Sequence, residues 1–267
     1  TVNVTTASAS SVSFSNNAST FKGLAVSSGN GISQGVNVTT SNTTTLDADS
    51  NNDGSGDFNN TAGTISTGGS ALSITANDFG LSGSINTGTG TTTILVSDGG
   101  SIGLGSTAGN MTIAGSELGN ITAGTLTIGD STAGAMTVNG ISSANSTNIT
   151  TVDLDSSSIA FSTGGSTFKG LSATANTGTI TGAVALTVAG TSTFTTSASN
   201  QSITLSSTSN DFTGAVSTNT TGSSANATLA TNSSIILGAS TIGGDQSVTV
   251  GGTSKTIVIS GAQDVSG

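Results

Sequence analysis

The segment best equipped for chemistry is Leu46 to Phe58, LDADSNNDGSGDF. Counted from Asp49, oxygen-bearing side chains fall at positions 1, 3 and 5 (Asp49, Asn51, Asp53). Gly54 stands at position 6, where a sharp turn is needed, Asp57 at position 9, and Asp47 lies just before. Alternate residues of a tight loop converge their oxygens, and a hard cation such as Ca2+ takes about six to eight of them. The pattern breaks at position 12, where Asn60 replaces the bidentate Glu, and no helical pattern flanks the loop. Two readings stand side by side: a structural calcium site formed by Asp47, Asp49, Asn51, Asp53 and Asp57, or a solvated acidic corner, since surface turns are rich in Asp and Asn in any case.

Other candidates offer less. Asp153 and Asp155 are two apart, so on a strand they share one face, but no base, nucleophile or cation accompanies them and they read as a solvated edge. Lys22 and Lys169 sit in equivalent slots of a repeated motif, each beside a Phe over which its stem can lie. Glycine stretches such as Thr87 to Gly90 lack the Lys and the following helix of a phosphate loop. The chain contains no Arg, His, Cys, Tyr or Trp, so the groups that sugar-cleaving enzymes use on a coiled β scaffold are missing, and the expectation is that it is not an enzyme. A net charge of -10 repels phosphate and argues against nucleic acid as a partner.

Glycosylation is the remaining chemistry. Asn-x-Ser/Thr begins at Asn3, Asn17, Asn37, Asn42, Asn59, Asn110, Asn120, Asn145, Asn148, Asn200, Asn219, Asn226 and Asn232. Thirteen such sites among 23 Asn exceed the roughly eight or nine that the Ser and Thr content would give by chance. Abundant Ser and Thr leave O-linked sugars equally open.

The elements that must carry these residues are short strands. In Asn110 to Ile141 the pairs Met111/Ile113, Leu126/Ile128 and Met136/Val138 each enclose one Thr, which sends both apolar side chains to one side of an extended segment. Between the pairs lie Gly, Ala, Ser, Asn and Asp, which suit tight bends. Val2/Val4, Val12/Phe14, Leu24/Val26, Val36/Val38, Leu72/Ile74, Ile94/Val96, Ile102/Leu104, Ile203/Leu205, Ile235/Leu237 and Val248/Val250 follow the same rule. A flexible or mucin-like stalk has no reason for such recurrence and would carry Pro, of which there is none. Strong helix formers are scarce, so the chain reads as all-β without helices. Eight Phe and small aliphatics spread evenly along 267 residues supply a thin core, as a stack of repeats requires. With no cysteine there are no disulfides, and no apolar run is long enough to span a bilayer. No signal-peptide pattern occurs, so the chain reads as a mature exported protein or a piece of a longer one.

A duplication is visible. SVSFSNNASTFKGLAV, Ser11 to Val26, matches SIAFSTGGSTFKGLSA, Ser158 to Ala173, at a constant offset of 147 residues. More loosely, Ala71 to Ile85 resembles Ser202 to Val216, with the shared Asn-Asp-Phe at an offset of 133, which places an insertion between the two points. The expected organisation is one continuous solenoid over residues 1–267, with related sections near 11–95 and 158–217 and a loop insertion at 46–58.

Segments such as SITANDFGLSGSINTGTGTTTI, GNITAGTLTIGDSTAGAMTVNGI, QSITLSSTSNDFTGAVS and LGASTIGGDQSVTVGG resemble the repeats of very large secreted bacterial β-helical exoproteins, the filamentous-haemagglutinin-like and autotransporter-like adhesins. The likeness covers most of the chain from about Ala71 onward and the Phe-containing copies before it. It implies a right-handed parallel β-helix, export to the cell surface, and a role in adhesion, biofilm or fibre structure. It transfers no functional residue, and such proteins usually run far longer.

The strand grammar leads independently to about three short strands per rung, roughly ten rungs, and a rod near 50 Å long. Right-handed coiling follows from the usual hand of parallel crossovers. Neither end resembles a cap, since Thr1 to Val4 and Lys255 to Ser260 alternate like any inner strand, so either the chain is embedded in a longer rod or copies stack end to end and pair those strands. The resulting expectation is a structural extracellular fibre or stalk subunit of a surface, sheath or biofilm matrix, a head-to-tail homopolymer. The alternatives are a ligand-binding adhesin passenger that meets surface glycans or other cells, and an ice-binding solenoid. Against the last, the Thr-rich stretches Thr43 to Thr45 and Thr191 to Thr196 do not recur at a fixed rung spacing in the sequence.

Overall fold

A computed structural model describes every residue except Ser8. The chain winds into a parallel β-solenoid of about 12 turns, 50% strand and 5% helix. The coil forms because each apolar-x-apolar pair aligns with the next in register, so inward positions stack into columns. One column runs Val2, Leu24, Thr44, Leu72, Thr92, Leu126, Val152, Leu171, Ser192, Val216, Leu237 and Ile259. Its neighbour two residues on runs Val4, Val26, Leu46, Ile74, Ile94, Ile128, Leu154, Ala173 and Phe194. Between the two ends both are buried along the interior of the rod, and each buried aliphatic side chain contributes about 1.5–3 kcal/mol.

The strands line three faces. An 18-stranded sheet wraps two of them, because the long strand Ile121–Gly129 crosses a corner, pairing Ile121 with Ile85 and Leu126 with Thr92. A four-stranded and then an eight-stranded sheet cover another face, and a three-stranded sheet continues the last. Successive residues of a column lie 20 apart at Leu24 and Thr44 and 21 apart at Leu171 and Ser192. Corners are therefore tighter than the sequence pattern implies, and the chain completes about 12 turns rather than ten.

Threonines that enter the core find partners in one another or in main-chain carbonyls. The Thr40 and Thr44 hydroxyls lie 2.7 Å apart and those of Thr87 and Thr92 3.0 Å apart, which meets the requirement that buried polar groups find partners. Buried Asn210 accepts from the Leu186 amide at 2.8 Å and donates to the carbonyls of Leu205 and Ala230.

Two features depart from the strand-and-corner expectation. Single helical turns occur at Gly115–Gly119 and Ser143–Ser146. The first is held by Glu117, whose carboxylate accepts from the Ala114 amide at 2.7 Å and, from the neighbouring turn, the Leu81 amide at 2.8 Å. In the second, Asn145 Oδ1 accepts from the Ser142 amide and hydroxyl, a local cap that overrides poor intrinsic propensity. The other departure is a doubling back: Ile102–Gly105 and Met111–Ile113 pair in parallel, Ile102 opposite Met111. The intervening segment returns across Gly103, where a Cβ would overlap the Thr107 carbonyl oxygen, so only glycine fits.

The duplicated motif occupies equivalent places. Val12–Phe14, Ser19–Phe21 and Leu24–Ser27 take three successive faces, as do Ile159–Phe161, Ser166–Phe168 and Leu171–Ala175. The looser match does not share a face, since Leu72–Ala76 belongs to the 18-stranded sheet and Ile203–Leu205 to the eight-stranded one. What those two segments share is strand grammar, not position in the coil.

Candidate functional site

The acidic segment forms the corner between strands Thr44–Asp47 and Phe58–Asn60. Alternation turns Leu46 inward and leaves Asp47 half-buried on the outer side. Asp49 is fully buried and organises the loop from within: Oδ1 accepts from the Asp53 amide at 3.2 Å, and Oδ2 accepts from the Gly54 amide at 3.2 Å and the Ser97 hydroxyl at 2.7 Å. Asp47 accepts from the Asp49 amide at 3.3 Å. Asn52 (φ 51°) and Gly54 (φ 75°) reverse the chain. Gly56 closes the mouth, where a Cβ would overlap the Ala48 carbonyl oxygen.

The loop brings Asp47, Asp49, Asn51 and Asp53 into one hydrogen-bonded turn, and Asn51 donates to Asp53 at 2.7 Å. Asp57 faces the next corner instead, accepting from the Asn77 side chain and the Asp78 amide, each at 3.1 Å. Among the described residues no cluster of three or more Asp, Glu, His or Cys is arranged to hold a metal ion. A cation at this corner must compete with three protein donors for Asp49 alone. Burial raises the Asp47 pKa, whereas the Ser55 hydroxyl lowers that of exposed Asp53. The partners Ser97, Asn77 and Asp78 carried no signal in the sequence, because they lie 20 to 48 residues away and only the coil's register brings them near.

The long outer face differs from the sequence reading in one respect. Sequence spacing between Thr-rich stretches is irregular, yet register aligns them. Outward Thr45, Ser73, Thr93, Thr127, Asp153, Ser172, Thr193 and Ser217 form one column. Asp155, Thr174, Thr195, Asn219 and Thr241 form part of the next. Insertions at corners change the count of residues per turn without moving the strands. Asp153 and Asp155 interrupt this hydroxyl array, sharing one face as their spacing implies. Burial raises the Asp155 pKa, opposed by the Asn176 side chain and reinforced by Asp153 and Asp130.

Of the Asn-x-Ser/Thr sites, Asn145 and Asn219 are half-buried and the other eleven exposed. Asn120 and Asn219 already donate their side-chain amides, to the Leu81 carbonyl and the Thr195 hydroxyl. Lys22 and Lys169 are both exposed.

The ends are the least covered parts of the molecule. Among the described residues, the large apolar side chains that are exposed are Val2, Ile257, Val258, Ile259 and Val265, and all belong to the first or last strands. Strands Val2–Thr5, Val12–Phe14 and Ser19–Phe21 at one end pair on one side only, as do Gln246–Val250, Ile257–Ile259 and Gln263–Val265 at the other. Each end thus presents open strand edges around exposed core columns. Among the described residues no helix is long and apolar enough to cross a membrane.

No curated protein and no solved structure matches the chain. Residues 149–219 match the model of a family described as "Repeats of unknown function (DUF5649)". That stretch spans the second copy of the duplicated motif and the turns after it, and with the stacked coil it identifies the chain as a repeat protein of the parallel β-helix type.

Proposed function

We propose that the chain is a rod segment of an extracellular surface fibre or stalk whose open ends take further coil, the isolated chain stacking end to end on a second copy. The observation that carries this reading is the confinement of exposed large apolar side chains to the terminal strands. Open edges with apolar columns are templates for further strands, and a heterologous contact of this kind adds copies without closing. The column that Val2 heads at one end closes at Ile259 at the other, so stacking one end on the other extends the existing coil. The absence of His, Cys, Tyr and Arg supports a structural rather than catalytic role, and the resemblance to large β-helical exoproteins supports a place at the cell surface.

Sedimentation velocity tests the reading. The chain forms concentration-dependent linear oligomers, and Ile259→Asp, which sets a charge on an already exposed end residue, leaves monomers. Monomers of the unsubstituted chain at all concentrations overturn it. Ice binding is the second reading, favoured by the in-register hydroxyl columns. A thermal-hysteresis measurement on the chain and on Thr127→Lys tests it, and absence of hysteresis removes it.

A further inference from the structure

Three successive turns of one face carry Ile159–Phe161, Ile180–Gly182 and Ile203–Leu205, stacked so that Phe161, Gly182 and Leu205 share a column. The corners after them differ. Residues 162–165 precede Ser166, residues 183–185 precede Leu186, and residues 206–210 precede Asp211, so the middle corner is the shortest of the three. It is also built from small apolar residues, Ala183, Val184 and Ala185. Around it lies a groove of about 360 Å³, lined by Thr181, Ala183 and Val184 of the middle turn and by Ser162, Thr204 and Ser206 of the turns on either side. That volume falls in the range of about 300–1,000 Å³ common to small-ligand sites. No charged side chain lines it, unlike the smaller groove of about 170 Å³ beside Asp57.

We propose that this groove binds a neutral carbohydrate, seating one sugar ring of a chain that crosses the three turns. A pyranose offers apolar C–H faces and a rim of hydroxyls, which is the complement of a lining that sets Ala183 and Val184 among Thr and Ser hydroxyls. An anionic or cationic ligand finds no counter-charge here. An acyl chain strips water from the wall hydroxyls and returns no hydrogen bond. The three turns are held in register by backbone pairing, so little ordering accompanies binding. This inference does not rest on end-to-end stacking, because the groove lies on the side of the rod.

Saturation-transfer NMR on the intact chain tests it, with neutral oligosaccharides, uronic-acid oligosaccharides and an octanoate probe. Neutral sugars receive saturation. Ala183→Phe, which fills the groove from the solvent side, abolishes the signal while circular dichroism stays that of the parent. Thr204→Val, of the same shape without the hydroxyl, weakens binding about two- to tenfold. The proposal is overturned if no neutral saccharide receives saturation, if uronates or octanoate bind in preference, or if Ala183→Phe leaves the neutral-sugar signal intact.

Discussion

The two copies of the STFKGL motif have nearly the same residues and the same places on successive faces, yet different surroundings. Phe161 and Phe168, in the middle of the rod, are 3% and 1% exposed. Phe14 and Phe21, in the first turn, are only half-buried and pack edge-to-face with ring centroids 6.5 Å apart. Burial in a solenoid is therefore set by the turn stacked above, not by the residue or its local strand, because each turn contacts only its neighbours. The first copy is the second with one side uncovered.

Substitution separates the copies. Phe168→Ala costs about 3–5 kcal/mol, while Phe21→Ala costs no more than about 2 kcal/mol because part of its ring already meets water. Urea midpoints of the two variants compare them, and equal losses break the comparison. The first copy is followed one turn later by the acidic corner, and Asp49→Ala removes a buried acceptor of three donors there, at about 1–3 kcal/mol. Its effect is local: protease nicking appears between residues 50 and 55 while amides near Phe168 keep their exchange protection. A smaller contrast lies at the glycine after each Lys. A Cβ on Gly170 meets the Thr150 carbonyl oxygen at 2.9 Å, whereas on Gly23 the nearest atom is the Thr1 side-chain hydroxyl at 3.0 Å, which can rotate away. Gly170→Ala lowers the melting temperature and Gly23→Ala barely moves it.

The smallest effect is in pH. Burial raises Asp47 on the first copy's side, Asp155 just before the second copy, and Glu117 between them. A carboxyl whose folded pKa exceeds its unfolded value binds more protons when folded, so its contribution is fully present below the unfolded pKa and is lost as pH rises through the folded one. Lowering the pH from neutral toward the ordinary Asp and Glu values of 3.8 and 4.5 therefore raises the melting temperature. Asp155→Asn reduces that gain near the second copy, and Asp47→Asn does so near the first.

The fold was legible because its signal is short-range. Apolar pairs such as Leu126/Ile128 and Leu72/Ile74 declare their strands and inward faces within three residues, and the constant offset from Phe14 to Phe161 and Phe21 to Phe168 declares equivalent turns. The number of turns, the helical turns and the doubling back were hidden, because they depend on corner length and on partners such as Leu81 for Glu117, a turn away in space but 36 residues away in sequence. The aligned hydroxyl columns were hidden for the same reason, since sequence spacing counts corner residues that register ignores. The acidic loop was legible as a turn around Asp49, but the turning of Asp57 toward Asn77 and Asp78 was not.

Cryo-electron microscopy of the chain at high concentration tests the end-to-end account most directly. It predicts filaments in which Val2–Thr5 of one copy lies parallel on the last strands of the next, with Val2 over Ile259 and Ile259 covered at the join. Discrete rods of one chain's length, with those strands facing solvent at every concentration, would contradict it.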